Sequence, residues 1–239
     1  MELKGRVPIV YISGRESTAG RLSRMMAQML ADAEAAEQAL PVKRGEWNDQ
    51  IGKDADRVAT YVIAAIYAAT AWAEATVNEV YIASAEGSRD FSSVRLPQRA
   101  QELLRNVWLG WHREPRSRDP NAVAKAREAL KALGLAHPFN ELPSRPDFQV
   151  LCDLRDSLTH AKPEFLAHGM TVDVDEGKRL DSLRKNLDGK FQLARGVPHS
   201  ALYLWEQVLG CGCATWATNT ARAFIKEWEV AMTSAGQAC

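Results

Sequence analysis

Three side chains with reactive or anion-binding chemistry fall within six residues of "LCDLRDSLTH", residues 151–160: Arg155, Asp156 and His160. A guanidinium is a permanent cation whose forked donors match a phosphate, and an imidazole changes protonation near neutral pH. Together they suit phosphodiester cleavage in which one group moves protons and another stabilises added negative charge. On a helix, Asp156 and His160 stand one turn apart and can meet. Arg155 and His160 are separated by about 140° of rotation, so one ideal helix does not aim both at one point. Two copies of the helix across a two-fold axis would, because an isologous interface brings the same patch together twice.

The segments that must hold this cluster carry mostly helical periodicity. Phe148, Leu151, Leu154 and Leu158 form the apolar frame of the motif helix, with Pro146 near its start and Pro163 beyond its end. Ser17 to Leu40 is an amphipathic pattern built on Leu22, Met25, Met26, Met29, Leu30 and Ala33, stopped by Pro41. A much longer pattern, Gly52 to Glu86, carries Val58, Tyr61, Val62, Ala65, Ile66, Ala69, Trp72, Ala73, Val77, Val80 and Tyr81 on one broad stripe and is long enough to span a bundle. Further helices are expected from Pro97, over Asn121 to Leu133 with Gly134 as a stop, near Gly177 to Leu187, and over about His199 to Met232. "VPIVYI", Val7 to Ile12, reads as a short strand or extended arm. The expected fold class is all-α. Residues 1–50 form an N-terminal extension of a possible strand plus an amphipathic helix, residues 51–239 a helical domain, and about 88–145 an insertion within it.

The stretch "LRDSLTHAKPEF" resembles the signature of HEPN domains, an arginine, a polar residue, a short spacer and a histidine on a late helix of an all-α bundle. "ATAWAEATVNEVY", Ala69 to Tyr81, is similar to the early helix of that superfamily, in which a Glu-x-x-x-Asn segment, here Glu74 to Asn78, faces the motif helix. The resemblance covers Lys53 to Met232 in architecture, and its specific part is the six-residue motif with its leucine frame. It implies a metal-independent endoribonuclease of a toxin or antiviral defence system, active as a homodimer. Arg155, Asp156 and His160 would be catalytic, Glu74 and Asn78 would support them, and no cofactor or metal would take part. The implied reaction is attack of an RNA 2′-hydroxyl on the adjacent phosphate, leaving a 2′,3′-cyclic phosphate. An antitoxin or regulatory protein is the expected further partner.

Composition limits the alternatives. Thirty Lys and Arg balance thirty Asp and Glu, so there is no global positive field and any RNA contact must be local. A candidate lies between Arg105 and Lys131, where seven basic residues face three acidic ones with Trp108, Trp111 and His112 among them. Basic groups interleaved with aromatics suit single-stranded RNA, and Arg113, Arg116, Arg118 and Trp111 are the expected contacts. The structural alternative is that both tryptophans are core anchors. The second basic run, "KRLDSLRKNLDGK", has the spacing of an ordinary solvated helix face.

Four cysteines, Cys152, Cys211, Cys213 and Cys239, make no disulfide framework, and "CGC" lacks the further ligands of a zinc site. His112, His137, His168 and His199 have no metal-ligand spacing. The N-terminus lacks the pattern of a signal peptide, and no run of about 18 apolar residues exists to span a bilayer, so the expectation is a cytoplasmic protein without a membrane partner. The competing function is a non-catalytic HEPN scaffold that binds a protein partner or nucleotide, in keeping with zero net charge and seven tryptophans. A plain structural dimer, with Arg155 and His160 at its interface, is the third reading.

Overall fold

A computed structural model describes residues 17–40, 49–87, 94–113, 120–135, 138–159, 174–195 and 204–238. All elements among them are α-helices: α1 (Thr18–Gln38), α2 (Asp49–Glu86), α3 (Gln98–Arg113), α4 (Ala122–Ala132), α5 (Pro138–Glu141), α6 (Arg145–Thr159), α7 (Val174–Leu187), α8 (Leu204–Val208) and α9 (Cys211–Ala238). The all-α expectation holds. The "VPIVYI" segment lies outside the described residues.

Small residues make α2 the central helix. Ala65, Ala68, Ala69 and Ala73 are fully buried, and so short a side chain lets neighbouring helices approach closely. Helices α1, α3, α4, α6 and α9 all pack on α2. Ser17 caps α1 by accepting from the Gly20 amide at 2.8 Å, and Glu79, late on α2, accepts from the Ala19 amide at 3.0 Å. The start of α1 therefore meets the end of α2, and the two run antiparallel. At its other end α1 offers the buried carboxylate of Glu37, which accepts from the Cys211 amide at 2.7 Å and the Arg195 amide at 2.8 Å. This fixes the start of α9, which runs alongside α2 in the same direction.

The stretch read as an insertion supplies α3, α4 and α5, whose Leu104, Ala126, Leu130 and Phe139 are part of the common core. Two buried hydrogen bonds tie α4 into it: Tyr81 Oη donates to the Lys125 carbonyl at 2.9 Å and Trp228 Nε1 to the Ala126 carbonyl at 3.1 Å. Phe148 of α6 stacks on Phe224 of α9 with ring centroids 4.1 Å apart, an arrangement that adds roughly 0.5–1.5 kcal/mol beyond the area buried.

Two expectations are corrected. The continuous helix expected over His199 to Met232 is interrupted at Leu209–Gly210, between α8 and α9. The cause is a crossing chain: Ala194 donates its amide to the Gln207 carbonyl at 3.0 Å, and its backbone passes so near Gly210 that a Cβ there would meet Ala194 Cα at 2.5 Å. The second concerns apolar length. Residues 50–86 are long and apolar enough to cross a membrane by length and composition, because alanines raise the mean hydropathy without forming an obvious apolar block. Half of the most apolar window is buried within the bundle.

Candidate functional site

The motif helix α6 is held at both ends. At its start, Glu227 of α9 accepts hydrogen bonds from the Ser144 amide and hydroxyl. Along its length, Phe148, Leu151, Cys152, Leu154 and Ser157 are buried, and Leu158 packs on the core from its edge. At its end, Thr159 Oγ1 donates to the Arg155 carbonyl at 2.9 Å and lies 2.7 Å from Tyr67 Oη. A hydroxyl has one proton, so with Thr159 donating to Arg155, Tyr67 must be the donor to Thr159. Tyr67 of α2 thereby clamps the last turn of α6.

Arg155 emerges from this helix one turn after Cys152 and is about three-quarters buried, whereas Asp156 is half exposed. Sequential residues on a helix do not normally face each other. The long arginine side chain folds back nonetheless, and its Nε donates to Asp156 Oδ1 at 2.9 Å with a second, shorter bond from Nη2. Burial alone would favour the neutral guanidinium. The Asp156 hydrogen bonds and charge, with smaller contributions from Cys152 and Glu74, outweigh it and set the Arg155 pKa above its ordinary value. A fixed cation therefore stands at the edge of the bundle with its partner carboxylate facing solvent.

Glu74 stands on α2. It acts electrostatically on both Arg155 and Cys152, and its Oε1 lies 3.3 Å from Lys125 Nζ of α4. Lys125 is 2% exposed and Glu74 32%, so the pair spans from the core to the surface. One turn further along α2, Asn78 Oδ1 is buried with no hydrogen-bond partner. Burial pushes the Cys152 thiol up to about 12; Arg155 opposes this, while Asp156, Asp153 and Glu74 reinforce it. Cys152 is thus a neutral thiol beside the guanidinium and no nucleophile at neutral pH.

The structure pairs Arg155 with Asp156 and Glu74 with Lys125; Glu74 acts on Arg155 only electrostatically, and Asn78 stands one turn away from Glu74 along α2. His160, Arg116 and Arg118 lie outside the described residues, as does the side chain of Arg113, whose backbone closes α3. Trp111 belongs to an aromatic cluster, with its ring 4.9 Å from Tyr81 and 6.4 Å from Trp108, and is half-buried against the core. Lys125, counted above within the basic run between Arg105 and Lys131, is corrected: it is buried and offers no solvated charge to RNA, whereas Arg127 and Lys131 are exposed.

Lys125, Tyr67 and Thr159 are the residues that sequence reasoning missed. A signal for Lys125 was present: it stands in register with Ala122, Ala126 and Ala129 on the apolar stripe of α4, where an unpaired ammonium would be costly. Tyr67, Glu74, Asn78 and Tyr81 follow steps of seven, four and three along α2 and so share one face.

These features define an all-α bundle with a charged cluster where α2, α4 and α6 meet. No protein-family model, curated protein or solved structure matches this chain.

Proposed function

We propose that the protein is a metal-independent endoribonuclease of the HEPN type, acting in a toxin or antiviral defence system. The observation that carries the reading is Arg155, a fixed cation at the end of a doubly anchored helix, five residues before His160 and within electrostatic reach of Glu74 on α2. The arginine clamps the scissile phosphate, and Asp156, which holds the guanidinium through Nε and Nη2, keeps the fork oriented while phosphate approaches. His160 serves as the proton-transfer group. The RNA 2′-oxygen forms a bond to phosphorus as its proton passes to a base, and the bond from phosphorus to the 5′-oxygen breaks as that oxygen receives a proton. The products are a 2′,3′-cyclic phosphate and a 5′-hydroxyl. Residues five apart on one ideal helix diverge by about 140°, so the proposed site is completed by a second copy of the chain.

The mechanism is tested with an oligoribonucleotide carrying a single 2′-deoxy sugar at the mapped cleavage position. The proposal expects binding to persist and cleavage at that bond to stop; cleavage of the deoxy linkage at an undiminished rate excludes attack by the 2′-hydroxyl.

A further inference from the structure

Helix ends fray, because the last turn lacks part of its backbone hydrogen bonding. The last turn of α6 runs from Arg155 to Thr159, the residue directly before His160 in the sequence. Within it, Thr159 Oγ1 donates to the Arg155 carbonyl at 2.9 Å. By itself that bond is ordinary: Thr60, Thr76, Thr215 and Thr233 donate in the same way to the carbonyl four residues back. Thr159 is the one among these threonines whose hydroxyl also meets a side chain of another helix, Tyr67 Oη of α2 at 2.7 Å.

Tyr67 stands on a firm base. Its neighbours Ile66 and Ala68 are fully buried, and Thr70 Oγ1 donates to the Tyr67 carbonyl at 3.0 Å. Phenol, hydroxyl and carbonyl thus form a directional chain of two hydrogen bonds, which starts on the central helix and ends on the backbone of Arg155. Tyr67 and Thr159 are 92 residues apart, so the end of α6 is held by the core of the bundle and not by its own fraying turn.

We propose that Tyr67, acting through Thr159, is a positioning residue for Arg155 and His160: it fixes the turn of backbone that carries the one and leads into the other. The inference rests on the reading of those two residues as the catalytic pair. A misplacement of about 1 Å can cost roughly a hundredfold in rate, and side chains anchored on rigid elements supply the needed precision. Tyr67 does this without touching RNA.

The test uses near-isosteric variants. Tyr67→Phe removes one oxygen and leaves the ring, Thr159→Val removes the hydroxyl and keeps the shape, and Thr159→Ser keeps the hydroxyl. These three and the Tyr67→Phe/Thr159→Val double variant are compared with wild type for kcat and KM on a fluorogenic single-stranded oligoribonucleotide, at a temperature where calorimetry shows all to be folded. In parallel, the His160 Cε1–H resonance, assigned by its loss in His160→Ala, is followed by NMR without RNA.

The expected kcat is roughly fivefold to fiftyfold lower in Tyr67→Phe and at least as low in Thr159→Val, with KM within about twofold of wild type. Thr159→Ser should recover to within about threefold. The double variant should match Thr159→Val within about twofold, because both substitutions cut the same chain. The His160 resonance should move in Tyr67→Phe and Thr159→Val and return in Thr159→Ser. A purely structural clamp lowers the melting temperature and leaves kcat and resonance where they were; that result in Tyr67→Phe overturns the inference, as does a double variant showing the product of the two single losses. If folded wild-type protein leaves the RNA intact, it is the ribonuclease reading that fails, and the resonance alone then decides whether Tyr67 positions His160.

Discussion

Gly210 offers a prediction whose sign depends on one close approach. Replacing glycine by alanine where the backbone tolerates it stabilises by about 0.4–1 kcal/mol, because the unfolded chain loses freedom. At Gly210 the added methyl would stand 2.5 Å from Ala194 Cα and 2.9 Å from Ala194 Cβ, and neither a backbone atom nor a Cβ can swing aside. The 191–195 segment would have to shift. That segment also holds the Arg195 amide on Glu37 at 2.8 Å and the Arg195 guanidinium on the Glu37 and Gln38 carbonyls at 3.4 and 3.2 Å. Overpacking of this kind costs about 1–3 kcal/mol, which exceeds the entropic gain and leaves a net loss of about 1–2 kcal/mol. For a chain of this size the melting temperature should fall by roughly 2–8 °C. Gly52, inside α2 with nothing within 4 Å of the place an added methyl would occupy, is the control. There alanine should stabilise by about 0.5–1 kcal/mol and raise the melting temperature by roughly 1–4 °C. Calorimetry of the two variants side by side is the assay. A Gly210→Ala protein that melts at or above wild type would refute the crossing of Ala194 over the break between α8 and α9.

Glu79 should make stability depend on pH. Its burial outweighs the hydrogen bonds from the Ala19 and Thr18 amides, so its pKa in the folded protein lies above the ordinary carboxylate value. A raised carboxyl pKa favours the protonated folded form, so stability falls as pH rises from the unfolded pKa through the folded one and is flat above it. Glu79→Gln keeps an oxygen for the Ala19 amide and removes the titration; relative to wild type its urea midpoint should rise between about pH 4 and neutrality, and a constant difference would contradict the assignment. Burial pushes the Cys211 thiol up to about 12, helped by its hydrogen bond to Glu37, and the fully buried Cys213 thiol is raised as well. With Cys152 in the same state, iodoacetamide at about pH 8 should leave all three intact in the native protein and label them promptly in urea, as mass spectrometry of peptides would show. Prompt native labelling of Cys152 would mean that the thiol beside Arg155 is accessible and ionised.

What the sequence discloses and what it conceals divide along sequence separation. The frame of α6 could be read because Phe148, Leu151 and Leu154 recur at helical steps, and all three are buried. The start of α1 at Ser17 and the stop at Gly134, with φ of 82°, rest on local chemistry as well. The break at Leu209–Gly210 could not be read, since the apolar pattern continues across it and its cause, Ala194, belongs to a segment that touches Gly210 only in the fold. Lys125 was misplaced for the same reason: its partner Glu74 is 51 residues away, and a basic run looks solvated until one member is seen to fall on the apolar stripe. Within the motif, the bond between Asp156 and its immediate neighbour Arg155 was not legible from helical spacing, because it depends on the reach of the arginine side chain. The half-buried state of Glu74 and the unpartnered Asn78 oxygen likewise depend on how α2, α4 and α6 meet.

The most direct measurement compares cleavage of total tRNA and mRNA by purified wild-type, Arg155→Ala and His160→Ala proteins in EDTA, with all three shown to be folded. The Arg155–Asp156 pair is partly solvent-exposed and should contribute no more than about 1 kcal/mol to stability, so the arginine variant should keep its fold. RNA fragments with 2′,3′-cyclic phosphate ends are expected from the wild type, and intact RNA from both variants. Fragments of equal yield from Arg155→Ala, or intact RNA from folded wild-type protein, would contradict that expectation.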